Sequence, residues 1–230
     1  MKAIVLAGGL GTRIRERVAD LPKAMASVAG RPFIEYVLDR LLAGGFTHII
    51  LSVGYRHEAI SSHLGERYRG ARIEYAVESK PLGTGGAIRY AIPKGETAPV
   101  LVLNGDTLVD VDLRALSAWY QERPTQLAVT LRRVEDVSRY GSVNVENDTV
   151  LGFAEKGPRG PGLINAGVYL LQPGVFDAYD LPERFSFEAD ILQRHCAELK
   201  PRAFITQAYF IDIGVPADYD RAQQELAGRR

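Results

Sequence analysis

The 230 residues carry 28 Lys and Arg against 28 Asp and Glu, so the net charge is zero and no global field favours nucleic acid or an acidic membrane surface. Hydrophobic residues make up 46% and charged residues 24%, which excludes a disordered or fibrous chain and suits one large domain with a substantial core. The single cysteine, Cys196, excludes an internal disulfide, and the scattered histidines have no zinc-ligand spacing.

In chain order, KAIVLA (2–7) is a short apolar run that reads as a buried strand. It is too short for a secretory signal, and no run approaches the roughly 20 apolar residues of a membrane span. The expectation is a cytoplasmic protein with no membrane partner. FIEYVLDRLLAGG (33–45) places Phe33, Val37, Leu38, Leu41 and Leu42 on one helix face and ends at Gly44-Gly45. HIILSVG (48–54) and RIEYAV (72–77) are further strands, separated by a helix over 56–64. A helix over 85–91 leads to VLVLNGD (100–106), the most apolar strand and so a central one. Asp112 is placed to cap the helix LRALSAWYQER.

The second half has a different rhythm. QLAVTLRRV, SVNVEN and VLGFAEK read as strands, with Asn147-Asp148 as a tight hairpin turn. LINAGVYLLQ (163–172) is another strand, and a helix covers 187–199. AFITQAYFIDIG reads as a hairpin, and Pro216 suits the first turn of a last helix to about residue 227. No linker or repeat interrupts the chain. The expected fold is a single α/β domain, residues 1–230, with a Rossmann-like mixed, mostly parallel sheet flanked by helices. In such sheets ligands sit outside the carboxyl ends of the strands, which is where the polar residues collect here.

The loop LAGGLGTRIRERVADLPK (6–23) follows the first strand and holds three glycines, several arginines and a Pro-Lys pair. It is neither a Walker A loop nor a G-x-G-x-x-G fingerprint, since Ile14 stands at the last glycine's position. Glycines let the backbone turn N–H groups toward an oxyanion, and Arg13 can grip two phosphate oxygens. Asp106 and Asp212 each sit beside an apolar strand, where a carboxylate is costly without a cation. Such hard oxygen donors suit Mg²⁺.

Ala7-Gly8-Gly9-Leu10-Gly11-Thr12-Arg13 with the following Pro22-Lys23 resembles the signature of the sugar-1-phosphate nucleotidyltransferases, also called nucleoside-diphosphate-sugar pyrophosphorylases. The likeness continues in order through ESKPLGTGGA (78–87), LVLNGD (101–106), YGSV (140–143), FAEK (153–156), INAGVY (164–169) and FIDIGVPADY (210–219). It implies a glycosyltransferase-A-like fold and a direct reaction. A sugar 1-phosphate oxygen attacks the α-phosphorus of a nucleoside triphosphate, and pyrophosphate leaves. No covalent intermediate is needed, and the chain has no Ser-His-Asp or Cys-His set to form one.

The resemblance also implies roles for residues. Ala7, Gly8, Gly9, Gly11, Thr12 and Arg13 would cradle the nucleotide, with Arg13 on the departing pyrophosphate. Lys23 would hold the α-phosphate and the sugar phosphate. Asp106 and Asp212 would hold Mg²⁺, with Asp106, Arg13, Lys23 and Lys156 the catalytic set. Lys156 would meet the sugar phosphate, and Glu155, Asn165 and Gly141 the sugar. Gly83 and Gly85 would let the backbone pass close to base and ribose. Deleting one of the two aspartates is expected to relieve their repulsion when metal is absent.

By the same resemblance, Glu78 takes the position that would face the base. A glutamate offers two acceptors, which match the adjacent N1–H and 2-amino donors of guanine, so GTP is the expected nucleotide. The motif ESKPLGTGGA resembles the mannose- and heptose-type guanylyltransferases, with heptose 1-phosphate the favoured sugar. Mannose 1-phosphate guanylyl transfer and glucose 1-phosphate uridylyl or thymidylyl transfer are alternatives. Two rivals belong to other classes: a glycosyltransferase using Asp110-Val111-Asp112 as its metal motif, and a non-catalytic nucleotide-sugar-binding subunit. A homo-oligomer is compatible with all of these readings.

Overall fold

Ala3 and Val5 face one core while Ile4 faces another, and none of the three is exposed. That alternation marks a strand covered on both sides. In the computed structural model, which describes residues 1–9, 21–156 and 159–228, this strand is β1 (Ala3–Leu6). A small ribbon of β2 (Ser27–Val28) and β3 (Arg31–Pro32) precedes α1 (Phe33–Ala43). Then come β4 (His48–Val53), α2 (His57–Leu64), β5 (Arg67–Tyr68), β6 (Ala71–Val77), α3 (Gly83–Ala91) and β7 (Val100–Asn104). β8 (Thr107–Val109) leads to α4 (Leu113–Gln121), whose first turn is capped by the Asp112 carboxylate accepting from the Arg114 and Ala115 amides.

The remaining elements are β9 (Leu127–Val134), β10 (Gly141–Glu146), β11 (Thr149–Lys156), β12 (Gly162–Leu171), a π-helix (Phe187–Gln193), α5 (Cys196–Leu199), β13 (Arg202–Thr206), β14 (Phe210–Asp212) and α6 (Pro216–Glu225). Asn147 and Asp148 both have positive φ, as a two-residue turn between β10 and β11 requires. The helix expected over 187–199 divides into the π-helix and α5.

Ten strands form one sheet in the order β10-β11-β13-β9-β12-β7-β1-β4-β6-β5. β7, β1, β4 and β6 run parallel, joined by helical crossovers. β12 lies antiparallel to both β7 and β9 and so fuses the two halves into one sheet. The parallel character belongs to the first half. In the second, short connections restrict most ladders to antiparallel pairing, and β9 with β13 is the parallel exception. α1, α2, α4 and α6 cover one face of the sheet, and α3 with the π-helix covers the other.

The stretch AFITQAYFIDIG is not a hairpin. β13 joins the large sheet beside β9, whereas β14 leaves it and pairs antiparallel with β8. The turn between them changes sheets, because the apolar partner of FID is the TLV strand a hundred residues earlier.

Candidate active site

Strand alternation builds the floor of the site. Leu6 registers with Ser52 on β4 and with Asn104 on β7, at the carboxyl ends of three parallel strands. Their side chains fall on the α3 face. All three line a cleft of about 720 Å³, which also takes in Gly8, Gly9, Glu78, Gly83 and Asp106. This is the crevice expected at the carboxyl ends of a parallel sheet.

One end of the cleft is acidic with a central cation. The β8–β14 ribbon places Asp212 opposite Thr107, and the Ile213 amide donates to the Asp106 carbonyl at 3.0 Å. The two aspartates predicted to bind metal are thereby held side by side. Between them lies Lys23, in a 3₁₀ turn after Pro22, with Ala24 and Met25 buried behind it. Its ammonium is 2.5 Å from Asp106 Oδ2 and 3.6 Å from Asp212 Oδ1. The Gly214 amide donates to Asp212 Oδ1 at 2.7 Å, and the Thr107 hydroxyl donates to Asp106 Oδ1 at 3.2 Å. Burial, and then the neighbouring Asp106 charge, push the Asp212 carboxyl above the ordinary carboxylate range, while Lys23 partly offsets them. The expected relief of repulsion on deleting one aspartate is therefore reduced, because Lys23 already neutralises part of it. Two convergent hard carboxylates fit Mg²⁺ once phosphate oxygens complete its shell. Among the described residues no cluster of three or more His, Cys, Asp or Glu offers a self-sufficient cage.

The other end of the cleft is built around Glu78. Its Oε2 accepts from the Leu82 amide at 2.9 Å, and its Oε1 accepts from the Ser52 hydroxyl at 3.2 Å. Gly8 packs here, since a Cβ on it would stand 3.2 Å from Glu78 Oε1.

Several sequence expectations take a different form. The Ala7 amide donates to the Ser52 carbonyl at 2.8 Å, so it completes a strand pairing and is not free for a ligand. Gly83 lines the cleft, but Gly85 is buried and faces Phe185, whose ring would lie 2.2 Å from a Cβ. Gly83 also serves Phe185, whose carbonyl would be 2.5 Å from a Cβ. Packing against Phe185 thus explains Gly85, and close approach to a ribose does not.

Asn165 is clamped at a break in the β9–β12 register. Its Oδ1 accepts from the Gly167 amide at 3.0 Å, and its Nδ2 donates to the buried Tyr169 hydroxyl at 2.8 Å. Gly141 pairs with Lys156 at the start of the β10–β11 ladder, where a Cβ would meet the Ala154 carbonyl at 2.8 Å. Gly11, Thr12 and Arg13 lie outside the described residues, as do the side chains of Glu155 and Lys156. Asp110 pairs with Arg40, and Asp112 caps α4, so the D-x-D pair of the glycosyltransferase rival is engaged in holding helices.

Sequence reasoning missed Ser52 and Tyr55, which also line the cleft. Ser52 had a visible signal, as the lone hydroxyl in the apolar strand HIILSV.

A family model described as nucleotidyl transferase matches residues 2–229. The chain is 44% identical over 226 residues to a D-glycero-α-D-manno-heptose 1-phosphate guanylyltransferase of Aneurinibacillus thermoaerophilus, covering 98% of each chain. It is 43% identical over 220 residues to a protein of the same name from Campylobacter jejuni, covering 95% of this chain and 97% of that one. Among solved structures, HddC from Yersinia pseudotuberculosis complexed with GMP-PN superposes with a TM-score of 0.84 at 35% identity, over 98% of this chain and 99% of that one.

Proposed function

The chain belongs to the nucleotidyl transferase family, and on that premise we propose that it transfers GMP from GTP to D-glycero-α-D-manno-heptose 1-phosphate, forming GDP-heptose and pyrophosphate. The observation that carries this reading is the single cleft running from the Glu78 carboxylate to Asp106. One end offers paired acceptors for guanine, and the other offers the charges that phosphates need. The named guanylyltransferase relatives, similar over nearly their whole length, support the same substrates.

A heptose 1-phosphate oxygen forms a bond to the α-phosphorus of GTP. The bond from that phosphorus to the β-phosphate's bridging oxygen breaks, and pyrophosphate leaves with the electron pair. Asp106 and Asp212 would hold Mg²⁺, which when bound draws off charge developing on the α-phosphate oxygens. Lys23, set between the two carboxylates, would contact the phosphates of both substrates. Arg13 would hold the pyrophosphate and Lys156 the sugar phosphate, while Glu155, Gly141 and Asn165 orient the sugar. Positioning and charge suffice for this chemistry. The product would supply surface polysaccharide assembly from the cytoplasm.

The test is pyrophosphate release with Mg²⁺, crossing GTP, UTP, dTTP, CTP and ATP with heptose, mannose and glucose 1-phosphates. Release confined to GTP with the heptose supports the proposal. Release with another nucleotide or sugar alone replaces that half of it.

A further inference from the structure

Ser52 is a hydroxyl set into an apolar strand. Alternation along β4 turns it to the same side as Ile50 and Ile4, and it has no exposed surface. A buried hydroxyl needs a partner, and this one has Glu78 Oε1 at 3.2 Å. A carboxylate can only accept, so the hydroxyl donates. The Leu82 amide donates to the other oxygen, Oε2, at 2.9 Å, and the Glu78 amide is itself tied to the Val53 carbonyl at 2.8 Å. Gly8 leaves room beside Oε1 that a Cβ, at 3.2 Å, would take. Among the described residues each carboxylate oxygen therefore accepts from one fixed donor, and a second lone pair remains on each.

We infer that Ser52 is a positioning residue for nucleobase choice. Together with the Leu82 amide it holds the Glu78 carboxylate in one orientation, so that the second lone pair of each oxygen is presented to the adjacent N1–H and 2-amino donors of guanine. This rests on the guanylyltransferase reading above. Without the Ser52 hydroxyl, the carboxylate keeps a single anchor and can rotate about its terminal torsion. Two-point recognition then weakens more than one-point recognition. The competing account is a latch that only fastens the end of β4 to the start of α3, with no part in reading the base.

The two accounts separate when GTP is compared with ITP, which lacks the 2-amino group. Dissociation constants for both, measured by calorimetry on the full chain with Mg²⁺ and no sugar phosphate, do not depend on which sugar is used. Wild type should prefer GTP by roughly tenfold or more, the worth of one hydrogen bond to a charged group. Ser52→Ala should shrink that preference at least about threefold, and Ser52→Cys, a weaker donor of similar size, should fall between. The cysteine variant also carries the test if the alanine variant does not fold. Glu78→Gln should abolish the preference. If Glu78→Gln abolishes it but the Ser52 variants lose affinity for GTP and ITP equally, the positioning role is overturned and the guanine reading stands. If wild type shows no preference, or Glu78→Gln keeps it, both fall.

Discussion

The ammonium of Lys23 stands 2.5 Å from Asp106 Oδ2, although 83 positions separate the two residues in sequence. It also stands 3.6 Å from Asp212 Oδ1, so one cation joins the turn between β7 and β8, through Asp106, to the end of β14, through Asp212. Among the described residues, Lys23, Asp106 and Asp212 thus already stand together, and the two carboxylates can be probed separately.

Asp106→Asn keeps the shape of the side chain and removes its charge. Turnover is expected to fall by roughly a hundredfold or more, the scale of losing one electrostatic stabiliser. The amide oxygen can face Lys23 while the new NH2 donates to the Thr107 hydroxyl, so the fold should hold. Initial rates at saturating substrate, with circular dichroism as a control, check this. Near-normal turnover in a folded variant removes Asp106 from the catalytic set.

Gly214→Ala probes the geometry beside the other carboxylate. A Cβ there would stand 2.8 Å from Asp212 Oδ1 and 2.9 Å from Lys23 Nζ, so both groups must shift. Turnover is expected to fall roughly tenfold to a hundredfold, as misplaced reacting groups do. The Mg²⁺ concentration for half-maximal rate should rise with it. Unchanged Mg²⁺ dependence would separate Asp212 from the metal.

The raised Asp212 carboxyl gives a stability signature in chelator-treated protein. A carboxyl whose folded value exceeds its unfolded one holds its proton more readily when folded. Its contribution is full below the unfolded value, near 3.8, and is lost as pH rises through the raised folded value. Asp212→Asn should lack this part of the decline. Urea midpoints of both proteins across roughly pH 4 to 6 are the check, and parallel slopes would contradict it.

Gly85→Ala tests packing away from the phosphates. Its Cβ would press on the Phe185 ring, which is itself stacked edge-on against Phe176 at 5.6 Å. Overpacking costs about 1–3 kcal/mol, and better helix propensity returns about 1. The melting temperature should drop, and the double variant with Phe185→Leu should recover most of it.

The sequence made some of this architecture readable and hid the rest. Asp112 announced its cap and Asn147-Asp148 its turn, because each acts within a few residues of itself. Asp106 could be placed because an apolar run leads straight to it. The splitting of 203–214 between two sheets was not readable, since β14 finds its partner across half the chain. Gly85 suffered the same way, because Phe185, the ring that requires it, comes a hundred residues later. Ser52 and Glu78 meet across neighbouring strands whose register neither segment encodes alone.

The β8–β14 ribbon also sets a timetable. A ribosome delivers Asp106 roughly a hundred residues before its partner strand, Phe210–Asp212. Until Phe210–Asp212 is released and docks, Asp106 waits without its neighbour, whatever the parallel half of the sheet has achieved. Nascent chains arrested before that point should be able to fold their first strands and still lack the paired carboxylates. The acidic pair therefore reports that Phe210–Asp212 has been made and has docked on β8.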